Sequence, residues 1–141
     1  MSTSERRPEV IVDFLFEDGL FFITVKNIGD APAHAVSVTF DKKFTGLEGA
    51  REISALPLFR KIPFLAPQKE ITAFLDRSAS YFRRRQPAKL RATIVFQDSS
   101  GETQRTVLRH DLGIYKDLGY VRRGKTGPQP SSTGNPVTPA G

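Results

Sequence analysis

The chain predicts an all-β fold, an antiparallel β-sandwich of about seven strands. Three observations carry this. Apolar residues alternate with period two through most of residues 8–112. Turn formers recur roughly every ten residues. A helix-like pattern occurs only over 77–86, about one to two turns, which is too short to stand alone. A small β-barrel shares these periodicities, so alternation alone leaves both architectures open.

Residues 10–16 (VIVDFLF) place Val10, Val12, Phe14 and Phe16 on one face. Glu17-Asp18-Gly19 signals a turn, and Phe21, Ile23 and Val25 alternate in 20–27, so the first two strands read as a hairpin. Asn27 can bond its own backbone, and Gly29 is expected to use positive φ in the turn that follows. In 33–40 the core face is Val36, Val38 and Phe40, with His34 in phase, and Ala35, Ser37 and Thr39 meet water. Residues 41–55 read as a loop entering a short strand near Glu52–Ser54. The prolines of LPLFRKIPFLAPQ (56–68) forbid a central strand, and an irregular crossover capping the core is expected.

Ile71, Ala73 and Leu75 are in phase in the strand 69–76. The helical piece 77–86 ends before Pro87. AKLRATIVFQ (88–97) sends Leu90, Ala92, Ile94 and Phe96 inward, and Lys89, Arg91, Thr93 and Gln97 outward. Asp98-Ser99-Ser100-Gly101 turns the chain into the return strand 102–112. An even-length loop would bury Arg105 as an unpaired charge. An odd loop instead places Leu108 inside and Arg105 and Arg109 outside, with Gly101 at positive φ. Lys89, Arg91, Arg105 and Arg109 then share one solvent face.

Three segments resemble bacterial immunoglobulin-like modules of the CARDB type. They are VKNIGDAPAHAVSVTF (25–40), FLAPQKEITAFL (64–75) and LRATIVFQDSSGE (90–102). The first matches through Asn27, Gly29, Ala33 and Val36. Leu65 and Pro67 match the step into the next strand, with Gln68 where the pattern has Gly. Phe96, Asp98 and Gly101 match a late hairpin, with Phe in place of Tyr. The domain is expected over residues 8–122, between a flexible terminus (1–7) and a tail (123–141) that is expected to be disordered because its Gly, Pro, Ser, Thr and Asn composition cannot bury enough apolar surface. The resemblance spans about residues 8–112 and implies an immunoglobulin-like sandwich. It implies no particular activity, because such modules serve in adhesion, spacing and docking.

With no cysteine, the 141-residue chain offers neither disulfides nor thiolate chemistry. Neither a signal peptide nor a membrane span is visible, which leads to the expectation of a cytoplasmic protein. The net charge of +6 is uneven: residues 1–50 carry five Lys/Arg against eight Asp/Glu, and residues 51–125 carry sixteen against seven. A basic half invites an anionic partner.

GYVRRGKTG (119–127) fits a phosphate-binding loop through Gly119, Gly124, Lys125 and Thr126. The context contradicts it, since a proline-rich stretch follows instead of a helix. His34 and His110 read as strand histidines, and no metal or cofactor site is expected. Arg83-Arg84-Arg85 beside Tyr81-Phe82 reads as a solvated crossover whose aromatics cap the core. The expectation is a non-enzymatic interaction module with an unknown protein partner. That partner would be acidic if Lys89, Arg91, Arg105 and Arg109 form the contact. An accessory nucleic-acid or anionic-surface binder is the alternative, and an enzyme with a loop-assembled site a weaker one.

Overall fold

The computed structural model describes residues 6–116. In chain order the elements are β1 (Val10–Glu17), β2 (Leu20–Asn27), β3 (Ala33–Phe40), β4 (Thr45–Gly46), β5 (Arg51–Glu52), α1 (Pro57–Arg60), β6 (Ile62–Leu65), β7 (Glu70–Arg77), α2 (Ser78–Arg83), β8 (Lys89–Gln97) and β9 (Thr103–Asp111). One sheet has the order β1-β2-β7 and the other β6-β3-β8-β9, all pairings antiparallel, while β4 and β5 make a separate two-stranded ribbon. The phosphate-loop motif and the predicted tail lie outside the described residues.

The core follows from the alternation. Val10, Val12, Phe14, Phe21, Ile23 and Val25 of the first sheet are buried against Val36, Val38, Leu90, Ala92, Ile94 and Phe96 of the second. Phe21 is a hub, in edge contact with Phe16, Tyr81, Phe82 and Tyr115. Tyr81 and Phe82 thus cap the core, as expected of the crossover. The Tyr81 hydroxyl donates to the Pro87 carbonyl at 2.6 Å. Burial raises its phenol above the ordinary range, against the lowering influence of Arg84.

Several expectations are corrected. His34 does not share the core face with Val36. Ala35 takes φ 49° within a register shift, so Ala33 and Val36 both point inward and His34 turns out, edge-on to Phe64. The proline-rich crossover contains a strand after all: β6, with Pro63, pairs with β3 at the sheet edge, where a missing N–H is tolerated. The short strand forecast near Glu52–Ser54 is β5, and Ile53–Ala55 forms a 3-10 turn.

Gly29 does not use positive φ. A Cβ there would lie 2.3 Å from the Arg7 carbonyl oxygen and 2.6 Å from the Glu9 nitrogen, so close backbone approach is what demands glycine. The turn at Gln68, by contrast, keeps the left-handed geometry that glycine would favour. Gln68 has φ 65°, and its side-chain amide donates to the carbonyls of Ile28 and Gly29 at 3.2 and 2.9 Å. Those bonds offset the strain of a side chain in this region.

Candidate functional site

β8 and β9 build one half of the outer face of the four-stranded sheet, beside β3 and β6. Gln97 pairs with Thr103, so the connection 98–102 has five residues and the odd register holds. Gly101 has φ 88°. Asp98 organises the turn by accepting from the Ser100 hydroxyl and from the N–H groups of Ser100 and Glu102. The Ser100 hydroxyl is the main reason its carboxyl sits below the usual carboxylate range.

Register fixes which residues meet. Arg91 stands opposite Arg109, Thr93 opposite Val107, Val95 opposite Arg105, and Lys89 opposite Asp111. Hydrogen bonds at both ends set the parity. Leu112 N–H donates to Ala88 O at 2.8 Å, and Asp98 N–H to Glu102 O at 3.0 Å. Alternation then makes the even-numbered pairs the hydrogen-bonded ones. Arg91 and Arg109 therefore occupy a closer, non-hydrogen-bonded pair, where side chains crowd most. Like charges directly opposite destabilise a sheet. Among the described residues no carboxylate lies within ion-pair distance of Lys89, Arg91, Arg105 or Arg109.

The face is less uniformly basic than four cations suggest. Lys42, Lys89, Arg91 and Arg109 line a shallow depression of roughly 300 Å³, but Asp41 and Asp111 line it too. Both carboxylates already accept backbone N–H bonds, Asp41 from Arg91 and Asp111 from Gly113. Arg105 lies apart from the depression, beyond Val107, which is 39% exposed. Phe64, 56% exposed, occupies the β6 edge of the same sheet.

Other residues singled out in the sequence have structural work. His110 reaches across the sandwich, its Nε2 2.8 Å from the Val12 carbonyl oxygen and its ring edge-on to Phe14, so it joins β9 to β1. The arginine run is divided. Arg83 and Arg85 are exposed, and Arg84 turns inward to pair with buried Asp76 and bond Thr45. The sequence reading did not identify Asp76. A bulge between Phe21 and Phe22 leaves Leu75 and Asp76 both facing in, and an extra residue of that kind has no signature in the alternation. Among the described residues no group of three His, Asp or Glu side chains is placed to hold a metal ion. No described helix is long and apolar enough to cross a membrane.

A family model described as a domain of unknown function (DUF8453) matches residues 1–116. The chain belongs to this family. The match takes in both sheets of the DUF8453 domain and the whole basic face. No curated protein and no solved structure is significantly similar to the chain.

Proposed function

We propose that this DUF8453 domain is a non-enzymatic, immunoglobulin-like interaction module whose outer β8–β9 face docks an acidic protein partner. The strand order supports the immunoglobulin-like assignment. Three strands, β1-β2-β7, oppose four, β6-β3-β8-β9, as expected when the fourth strand of such a sandwich joins the second sheet. The observation that carries the docking reading is the Arg91–Arg109 pair. Two guanidinium groups in the closest cross-strand position, neither with a carboxylate partner among the described residues, are a standing electrostatic cost that an acidic ligand relieves. Protein is favoured over nucleic acid because β8 and β9 present no aromatic side chain among these cations on which a base could stack.

The test is affinity capture with the intact chain at low and high salt, beside an Arg91→Glu/Arg109→Glu variant. A partner bound by wild type, released by salt and absent from the variant is expected. A partner retained equally by the variant would place docking elsewhere.

A further inference from the structure

The outer edge of β9 carries an inference that rests on the docking reading and sharpens it. β9 is the last strand of its sheet, nine residues long, without proline or glycine. Natural edge strands of this length are usually shortened, bulged or covered, because a row of free N–H and C=O groups templates another strand. The parity established above says which groups are left without a partner among the described residues. Even-numbered residues of β9 bond to β8, so Thr103, Arg105, Val107, Arg109 and Asp111 aim their backbone N–H and C=O groups away from the sheet. The side chains of these residues also face solvent. A strand added here would set its own outward side chains against arginine, valine and arginine in turn.

We propose that the free edge of β9 takes up an extended segment of the acidic partner as an additional antiparallel strand, with acidic side chains facing Arg105 and Arg109 and an apolar side chain facing Val107. Main-chain hydrogen bonds supply the attachment and alternate side chains the selectivity. The recognised pattern is acidic, any residue, apolar, any residue, acidic. A second copy of this chain is a poorer occupant. The register that pairs the whole of 103–111 with itself sets each Arg105 opposite an Arg109 of the other copy. The arginines thus guard the edge against self-association and leave it open to a strand of opposite charge.

The probe is a peptide with blocked ends, Thr-Asp-Thr-Val-Thr-Asp-Thr, titrated into the isotopically labelled full chain at low salt. Three comparisons accompany it: a peptide N-methylated at the Asp and Val amides, a scrambled peptide of the same composition, and a Val107→Pro chain. That substitution removes an outward N–H and no ladder bond. The expected result is slowed exchange of the 105, 107 and 109 amides, with binding at least about tenfold weaker for the N-methylated peptide and for the variant. If all three peptides bind wild type equally and salt releases them, charge alone holds the ligand. Strand addition then fails, and acidic docking stands. If no peptide binds, strand addition fails, and the capture experiment with the double arginine variant decides docking separately. If the full chain itself dimerises, and Val107→Pro abolishes the dimer, the occupant is a second copy and the proposal is overturned.

Discussion

Two neighbouring prolines in β9 should have opposite consequences. Thr106 faces Ile94 in a hydrogen-bonded pair, so Thr106→Pro deletes an N–H that the Ile94 carbonyl needs. Ile94 lies in an interior strand of the sheet with its side chain fully buried, where water cannot replace the lost donor. An unpaired buried carbonyl costs about 1–3 kcal/mol, and the proline ring adds steric conflict, for a total on the order of 2–4 kcal/mol. Val107→Pro removes an N–H that points to solvent. Its cost should stay under about 1.5 kcal/mol, mainly from forcing φ toward the proline value. Urea denaturation of the two variants beside wild type gives the difference directly. In a thermal melt each kcal/mol corresponds to roughly 4 °C for a domain of this size. Equal costs, or a Val107→Pro variant less stable than Thr106→Pro, would refute the parity and the edge geometry derived from it.

Further outcomes follow from local geometry. Gly29→Ala places a Cβ into the backbone of residues 7–9 and should cost more than about 2 kcal/mol by urea denaturation, although φ is ordinary there. Gln68→Ala keeps the left-handed backbone but loses both amide bonds, and should cost about 1 kcal/mol. Gln68→Gly should cost less, because it relieves the strain as it loses the bonds. Asp76→Ala strands Arg84 and the Glu48 N–H beside the core, and should lower stability by about 3 kcal/mol. Tyr81 favours its neutral form in the fold, so its contribution is complete below the free phenol pKa of about 10 and is lost as pH rises above it. Alkaline denaturation of Tyr81→Phe should lack that component, and an unchanged alkaline profile would contradict the assignment.

Strand phase was legible where the chain keeps a strict period. In β8, Leu90, Ala92, Ile94 and Phe96 are all buried as read, and the outward position of Arg105 and Arg109 followed from refusing to bury a charge. It failed where one residue breaks the count. Ala35 reverses the facing of His34, and the bulge beside Leu75 turns Asp76 inward. Neither residue type announces a bulge, because the geometry is imposed by the partner strand. Pro63 argued correctly against a central strand, but not against an edge strand. The basic face was readable as four cations. The position of Asp111 opposite Lys89 follows from the same register.

Asn27 has a kinetic consequence. Its side chain accepts from the N–H groups of Glu9 and Gly29 and donates to the carbonyls of Ala31 and Leu65, while its backbone bonds Gln68 and Lys69. This one residue thus joins the approach to β1, the end of β2, the entry to β3 and the end of β6 through its side chain, and the turn before β7 through its backbone. Only the bond to Gly29 and that to Ala31 are local. The others require segments as far as 42 residues apart, from Asn27 to Lys69, to be in place. Closing such loops is entropically uphill until the remaining contacts exist. We expect these bonds to form after the rate-limiting step of folding. Asn27→Ala should then leave the folding arm of a chevron nearly unchanged and accelerate unfolding by the full loss in stability. In that case the corner sets how long the native state lasts once formed, and has little bearing on how quickly it is reached.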